Sequence, residues 1–184
     1  MKYSKTDIAG VWVMEPDVYK DTRGYFYEAW KQAEFDEYIG YHVDFIQDNE
    51  SMSTKGVLRG LHYQKGTFSQ AKLVRVLRGK VLDVAVDLRR NSPTIGKYVA
   101  VELSETNRHQ LFIPRGFAHG FLVLSDEAVF TYKVDNVYSP NSEAILRWND
   151  KTVGIEWGIN PNEVILSEKD LNKSCSWENA DLFG

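Results

Sequence analysis

Apolar and polar residues alternate with a period of two through most of residues 43–148, in short runs separated by turn residues. Such runs predict β-strands, and their close spacing predicts an antiparallel sandwich or barrel. The run "KLVRVL" meets "KVLDVAVDL" at Arg78-Gly79, and "HGFLVL" meets "AVFTYKV" at residues 125–127, so both pairs are predicted to form β-hairpins. Residues 30–39 instead carry apolar side chains at helical spacing before Gly40, which predicts one short helix.

The same alternation places four titratable side chains on strand faces that are otherwise apolar. These faces hold Lys72 with Val74 and Val76, Asp83 with Val81 and Ala85, His119 with Phe121 and Val123, and Tyr132 with Phe130 and Val134. Burying such a group costs several kcal/mol unless it finds a partner. Any one of them suits an ordinary polar residue in a core, but the four together predict a polar cavity inside the sheet.

Length and composition favour a single domain. The 184 residues are 43% hydrophobic and contain no repeat or linker-like segment. We therefore expect one domain over residues 1–184, with a core at about 43–148 and a C-terminal segment at about 149–184 packing on it. The formal net charge of −4 disfavours nucleic acid as a partner. The single cysteine and the lack of a long apolar run predict a cytoplasmic protein with no membrane partner.

Two groups of residues resemble the two motifs of the cupins, which are small β-barrels of the jelly-roll type, although Lys72 follows Gln64 after a longer gap than the first motif has. The groups are Gly56, His62, Gln64, Lys72 and Gly79, and then Pro114, Gly116 and His119. Metal-binding cupins usually supply two histidines and a glutamate from the first motif and one histidine from the second. Here Gln64 and Lys72 occupy ligand positions, and a charged lysine has no lone pair to donate. We therefore predict a mainly β protein, a cupin jelly-roll barrel with short flanking helices, that binds no metal.

His62, Lys72 and Tyr132 suit proton transfer at a carbon next to a ketone. A histidine accepts a proton near neutral pH, a lysine stabilises an enolate oxygen, and a tyrosine hydroxyl donates a proton. If the donor faces the carbon from the side opposite to the acceptor, the carbon is inverted. Epimerisation of this kind requires no cofactor.

Nine segments of the chain, some of which contain the residues above, indicate a protein family by their composition and order. They are "DTRGYFYE", "FIQDN", "LRGLHYQ", "AKLVRVLRGKVLDVAVDLR", "IPRGFAHGF", "TYKVDNVYSP", "LRWND", "GIEW" and "LSEKD". Together they closely resemble the dTDP-4-dehydrorhamnose 3,5-epimerase family up to about residue 170. The resemblance implies a homodimeric, metal-free cupin of dTDP-rhamnose biosynthesis. It also implies the reaction, in which C3 and C5 of dTDP-4-dehydro-6-deoxy-D-glucose are epimerised to give dTDP-4-dehydro-L-rhamnose.

The resemblance assigns catalytic roles to four residues. His62 is the implied proton acceptor and Tyr132 the implied proton donor. Asp170 is implied to pair with His62 and orient its ring, which is the usual role of a carboxylate beside a catalytic imidazole. Lys72 is implied to hold the developing C4 enolate.

Substrate-binding roles are also implied by the resemblance. His119, with help from Asp83, is expected to line the sugar pocket, and Tyr138 to stack on the thymine. Glu143 and Lys169 fall where the family makes further substrate contacts. The residues implied to bind the nucleotide portion, partly across the dimer interface, are Arg23, Phe26, Glu28, Gln47, Asp48, Asn49 and Arg59.

Four other functions are weighed on the sequence alone, and one of them, a 3,4-ketoisomerase on a related scaffold, is disfavoured because "TYKVDNVYSP" follows the epimerase pattern. A mono-epimerase of a dTDP-4-keto-deoxysugar pathway would keep the same site and invert only C3 or C5. A non-catalytic cupin that binds a nucleotide sugar is disfavoured, because binding alone needs no matched acid and base. A metal-dependent dioxygenase would need ligands that Gln64 and Lys72 do not supply.

Overall fold

Fourteen β-strands and two short α-helices form the fold in the computed structural model, which describes residues 1–184. The strands are β1 Lys2–Lys5, β2 Trp12–Glu15, β3 Tyr19–Asp21, β4 Gly24–Phe26, β5 Gln47–Thr54, β6 Leu58–Gln64, β7 Lys72–Arg78, β8 Lys80–Asp87, β9 Tyr98–Ser104, β10 Gln110–Ile113, β11 Phe117–Val123, β12 Glu127–Val134, β13 Glu143–Leu146 and β14 Ser174–Cys175. The helices are α1 Gln32–Ile39 and α2 Glu168–Lys173. The prediction of a mainly β protein is confirmed.

Two six-stranded sheets pack against each other. The first sheet has the order β1-β2-β10-β7-β12-β5, and the second has the order β14-β13-β6-β11-β8-β9. Neighbouring strands are antiparallel except β13 and β14, which are parallel, and β3 pairs only with β4 in a separate hairpin. Two packed antiparallel sheets are the arrangement expected of a jelly roll.

Both hairpins predicted from the sequence are wrong. β7 belongs to the first sheet and β8 to the second, and β11 and β12 are divided in the same way. The turns between them are corners at which the chain crosses from one sheet to the other. At the first corner Gly79 has φ 78°, and a Cβ there would lie 2.0 Å from the carbonyl oxygen of Glu127. A glycine between two alternating runs therefore marks a corner here, although the same pattern is typical of a hairpin.

The main core lies between the sheets and is built from the faces that the alternation predicted to point inward. Val74 and Phe130 from the first sheet and Val81 and Phe121 from the second are each at most 5% exposed. Because alternate residues of a strand share a face, the polar residues of these strands also point inward. The inward polar residues are Lys72, Asp83, His119 and Tyr132, as predicted.

The helix predicted within residues 30–39 is α1, which ends at Gly40 in the left-handed conformation. Phe35 is its only buried residue. The ring of Phe35 packs on Trp30 and Phe112, with centroids 4.5 and 5.0 Å away. This aromatic cluster attaches the N-terminal segment to the outer face of the first sheet.

The segment after β13 covers the outer face of the second sheet. Val153 and Trp157 pack with Leu61 and Leu146 in a second buried cluster, and β14 pairs with β13. This path brings α2 to one end of the space between the sheets. No helix reaches the length and hydrophobicity that a membrane span requires.

Candidate active site

A cavity of about 640 Å³ opens between the two sheets and is bordered by α2. This volume lies within the range of small-molecule sites. Ten of the sixteen catalytic and substrate-binding candidates line it, namely Asn49, Arg59, His62, Lys72, His119, Tyr132, Tyr138, Glu143, Lys169 and Asp170. The fold therefore collects residues that are far apart in sequence around one space.

An irregularity in β6 brings Arg59 and His62 into this cavity together. Strict alternation would send residues 59 and 62 to opposite faces of the sheet. The pairing of β6 with β11 shifts register here, and a Cβ on Gly120 would lie 2.5 Å from the Arg59 carbonyl oxygen and 3.1 Å from Gly60 Cα. The close approach of the two strands requires glycine at these positions, and the resulting bulge turns both functional side chains inward.

His62 lies between two carboxylates. Its Nε2 is 2.8 Å from Oδ1 of Asp170, and its Nδ1 is 3.2 Å from Oε1 of Glu143. The contact with Asp170 that the resemblance implies is therefore present, as an ion pair in which Oδ1 lies off the N–H direction. Burial lowers the pKa of His62, but the two carboxylates raise it by more than burial lowers it. The pKa of His62 therefore lies above the ordinary histidine value.

Asp170 is held in place by the start of α2. Ser167 is the N-cap of this helix, and its hydroxyl accepts the backbone N–H of Asp170 at 3.1 Å and donates to Oδ2 at 2.8 Å. Asp170 is only 4% exposed, so its remaining oxygen is directed at His62. Ser167 is not among the residues predicted from the sequence, although a serine three residues before an acidic residue is a known helix-start pattern.

Glu143 connects His62 to the rim of the cavity. Its Oε1 faces His62, while its Oε2 accepts hydrogen bonds from the Tyr138 hydroxyl, at 2.9 Å, and from the Lys169 ammonium. The contact with His62 contributes most to lowering the pKa of Glu143 to about 2; burial opposes this effect, and Lys169 and Tyr138 add to it. The Glu143 carboxylate is therefore charged at neutral pH.

Lys72 and Tyr132 line the cavity from the first sheet, whereas His62 lies on the second. Burial lowers the pKa of Lys72 to about 8, although Asp83 and Glu143 act to raise it. Burial also raises the pKa of Tyr132 above its ordinary value. At neutral pH one wall of the cavity therefore presents an ammonium group and a protonated phenol to the imidazole on the other wall.

His119 and Asp83 form a second histidine–carboxylate pair. The Nε2 of His119 lies 3.0 and 3.1 Å from the two carboxylate oxygens of Asp83, and both residues are buried. Burial lowers the pKa of His119, and Lys72 adds to this effect while Asp83 opposes it. Asp83 itself does not reach the cavity surface. It holds the ring of His119, which lies opposite His62 in the pairing of β11 with β6.

Gln64 stands where a metal-binding cupin has a histidine. Its side-chain amide donates to the carbonyls of Phe68 and Val137, at 2.8 and 3.0 Å, and its oxygen accepts the N–H of Ser139 at 2.6 Å. Gln64 is 4% exposed. Its side chain therefore ties the loop at residues 65–71 to the loop at 135–142, which carries Tyr138.

Besides Asp83, five candidate residues do not line the cavity of their own chain, namely Arg23, Phe26, Glu28, Gln47 and Asp48. The first three lie on or beside the β3–β4 hairpin, where the ring of Phe26 is 65% exposed and Arg23 is paired with Asp21. Asp48 forms an ion pair with Lys133 at 2.9 Å, and Gln47 donates to the neighbouring Asn49 at 2.8 Å.

Two aromatic residues that were predicted from the sequence only as core residues also line the cavity. The rings of Phe121 and Phe130 stack at 4.1 Å across the two sheets and border the cavity, and the Phe130 ring lies 6.2 Å from that of His119. The alternation of residues along β11 and β12 predicts that both rings point inward. It does not distinguish a residue that lines a cavity from one that fills the core. These rings give the polar site an apolar floor.

Comparisons with known proteins agree on one family. The model of the family described as dTDP-4-dehydrorhamnose 3,5-epimerase matches residues 5–176. A protein of that name from Shigella flexneri is 53% identical over 184 residues, which cover 100% of this chain and 99% of the relative. The crystal structure of the Elizabethkingia anophelis enzyme of that name is 51% identical with a TM-score of 0.93 over 97% of each chain. A Legionella pneumophila 3,5-epimerase in complex with dTDP-4-keto-L-rhamnose is 45% identical with a TM-score of 0.93, over 98% of this chain and 94% of that one.

Proposed function

The chain belongs to the dTDP-4-dehydrorhamnose 3,5-epimerase family, and from this premise we propose how its cavity inverts C3 and C5 of dTDP-4-dehydro-6-deoxy-D-glucose. The product is dTDP-4-dehydro-L-rhamnose, an intermediate of dTDP-rhamnose biosynthesis. The C4 ketone acidifies the protons on C3 and C5, and loss of either proton gives an enolate. Return of a proton to the opposite face inverts the carbon. Agreement with the named double epimerases over the full chain favours this function over single epimerisation or binding alone.

One observation carries the mechanism: the histidine and the tyrosine of the cavity stand on different sheets. His62 extends from β6 in the second sheet, and Tyr132 extends from β12 in the first. A sugar ring held between the sheets therefore exposes one face to a base and the other to an acid. This is the requirement for inversion of a carbon through an enolate.

Each catalytic residue has a role that its surroundings support. His62 removes the proton, and Asp170 orients the ring and stabilises the imidazolium that forms. Lys72 holds the C4 oxygen as negative charge develops on it, because a preorganised cation in a cavity stabilises an enolate more than water does. Tyr132 returns a proton from the other wall, and its raised pKa keeps it protonated until then.

The remaining lining residues bind the substrate. His119, fixed by Asp83, contacts the sugar near the apolar floor, and Tyr138 stacks on the thymine at the rim. Arg59 suits the diphosphate because its planar fork of donors matches phosphate oxygens. Asn49 and Lys169 make the remaining contacts with the nucleotide.

A nucleotide substrate, together with a single cysteine, supports a cytoplasmic location.

A second copy of the chain completes the nucleotide site. Arg23, Phe26 and Glu28 are exposed and lie outside the cavity of their own chain, and the same hairpin presents Tyr19 and Tyr25 at 65% and 59% exposure. Exposed aromatic side chains of this kind are enriched at protein interfaces. In a homodimer this hairpin reaches the cavity of the partner and supplies Arg23 to the diphosphate.

Mixing two inactive variants tests the dimer. Arg23→Ala and His62→Ala chains are denatured together, refolded and assayed. If Arg23 acts across the interface, mixed dimers hold one intact site and restore about one quarter of the wild-type rate. If Arg23 acts within its own chain, the mixture stays inactive. Sedimentation velocity of the wild type gives the oligomeric state independently.

Proton exchange tests the reaction itself. The protein is incubated with dTDP-4-keto-6-deoxyglucose in deuterated water while the ring protons are followed by NMR. We expect deuterium at both C3 and C5 with the wild type, no exchange above the blank with His62→Ala, and exchange without inversion with Tyr132→Phe. His42→Ala is the matched control, since His42 is exposed and paired only with Asp36. Binding without exchange by the wild type contradicts the proposal, and exchange at one carbon only indicates a mono-epimerase.

A further inference from the structure

The two carboxylates beside His62 create a conflict with its role as a base. Carboxylates at neutral pH only accept hydrogen bonds, and a neutral imidazole has a single N–H to donate. Contacts of 2.8 and 3.2 Å at the two ring nitrogens are therefore both favourable only when the ring is protonated on both nitrogens. An imidazolium has no free nitrogen to receive a proton from the sugar. One of the two carboxylates must leave before His62 can act.

Asp170 and Glu143 differ in how easily they leave. Asp170 is 4% exposed, and Ser167 holds both its backbone N–H and its second oxygen. Glu143 stands nearer the rim, and its second oxygen is bound by Tyr138 and Lys169. Tyr138 is 53% exposed, and both partners line the cavity in which the nucleotide sugar is proposed to bind. A ligand that engages these two partners removes the two groups that anchor the second Glu143 oxygen, so that the side chain is free to turn away from His62 toward solvent at the rim.

We infer that Glu143 is a positioning residue that keeps a proton on Nδ1 of His62 in the empty cavity and releases that proton when the nucleotide sugar draws Tyr138 and Lys169 away. The proton on Nδ1 passes to solvent water through the open cavity, and Nδ1 is left with a lone pair. Nδ1 then accepts the α-proton of the sugar while Asp170 stays at Nε2. This inference rests on the proposed role of His62 as the base.

The other groups that face His62 fit this interpretation. Lys72 on β7 is the cation whose charge lowers the pKa of His62, and His119 on β11 is influenced by the His62 charge in turn. Tyr132 on β12 lines the same cavity and carries no charge at neutral pH. Against these, only Glu143 on β13 and Asp170 on α2 favour the imidazolium by direct contact. Loss of the Glu143 contact at Nδ1 therefore removes one of the two carboxylates that stabilise the doubly protonated His62 ring.

The isosteric variant Glu143→Gln tests the inference without substrate. The chain has four histidines, so NMR with labelled histidine resolves the titration of each ring, and His62→Ala assigns the His62 signals. Loss of one contacting carboxylate is expected to lower the His62 pKa in the free protein by about one unit or more. Glu102→Gln, which removes an exposed carboxylate on β9 of the same sheet, is expected to leave the titration and the activity unchanged. An unchanged His62 pKa in Glu143→Gln overturns the inference.

Kinetics give a readout that a plain substrate contact would not change. The acidic limb of kcat/KM reports the free enzyme, and that of kcat reports the enzyme–substrate complex. We expect Glu143→Gln to move the limb of kcat/KM to lower pH and to leave the limb of kcat in place, because the wild-type contact is already broken in the complex. A raised KM with neither limb shifted would mean that Glu143 only binds substrate.

A measurement on the wild type covers the case in which the variant does not fold. Saturating dTDP engages the rim without any reaction, and it is expected to lower the His62 pKa of the wild type. No change on dTDP binding overturns the inference. These titrations need no turnover, so they stay separate from the deuterium experiment that decides whether the protein is an epimerase.

Discussion

Lys72 is the clearest case of a residue whose charge serves the reaction at the expense of the fold. It extends from β7 into the cavity without an ion pair or hydrogen bond in the chain, and burial lowers its pKa from 10.5 to about 8. A lowered lysine pKa means that the charged form is less stable in the folded state than in the unfolded state. At about 1.4 kcal/mol per pKa unit the full penalty is about 3.5 kcal/mol, and screening by the open cavity reduces it to about 1–2 kcal/mol.

We therefore predict that Lys72→Met raises the free energy of unfolding at pH 7 by about 1–2 kcal/mol, because methionine is of similar length and has no charge to desolvate. The same substitution removes the cation proposed to hold the enolate. Loss of one such group lowers kcat by about 100- to 1000-fold. The variant is expected to be more stable than the wild type and almost inactive.

Urea unfolding at two pH values checks the origin of the effect. Below pH 8 the lysine is charged in both states, so the penalty is fully present. It disappears as the pH rises through the unfolded value near 10.5, because the amine is then neutral in both states. The stability gain of Lys72→Met should therefore be large at pH 7 and small at pH 10. A gain equal at both values, or a loss at pH 7, refutes the reasoning, and Lys151→Met is the exposed-lysine control.

Further predictions concern the site and the core. Asp170→Asn should lower kcat/KM by about 100-fold, because His62 loses the charge that orients its ring. The affinity for dTDP, measured by calorimetry, should stay unchanged, and a fall in this affinity alone would contradict the prediction. Phe35→Ala should destabilise the protein to urea by about 3–5 kcal/mol, because the ring is fully buried among aromatic neighbours, and a loss below 1 kcal/mol would disagree. Burial acts to raise the pKa of Asp87, but hydrogen bonds from Arg89, Ser92 and Thr94 lower it to about 2. Because this pKa is lower than that of the unfolded chain, the Asp87 carboxylate is predicted to stabilise the fold by about 2 kcal/mol above about pH 4. That stability should vanish as the pH falls to 2, and an equal cost of Asp87→Asn at pH 7 and pH 2 would argue against it.

The sequence predicted local structure and side-chain direction well, because both depend on neighbours along the chain. The inward direction of Lys72 and Tyr132 and the end of α1 at Gly40 follow from period-two alternation and from helix-stop chemistry. The pairing of strands does not follow in the same way. A strand that turns back beside itself and one that crosses to the opposite sheet have the same alternation and the same glycine at Gly79, and only the packing of the whole barrel distinguishes them.

The site shows the same division. The resemblance provided the contact between His62 and Asp170, which lie more than a hundred residues apart in the chain. The second carboxylate at His62, Glu143, had no local pattern to indicate it, because the contact depends on where β13 lies beside β6. Arg23 could not be placed in the cavity at all from one chain, since its proposed contact depends on a second copy.

The three hydrogen bonds of Gln64 bear on whether this barrel is convertible into a metal enzyme. Replacing Gln64 with histidine would supply a nitrogen ligand, and replacing Lys72 with glutamate would remove the opposing cation. However, the amide of Gln64 is the tie between the two loops at the rim, and a histidine cannot reproduce its two donors and one acceptor. A metal introduced by these two substitutions would therefore sit beneath a loosened rim that no longer holds Tyr138. Exchanging the chemistry of this pocket requires redesign of the loops at residues 65–71 and 135–142 together with the ligands.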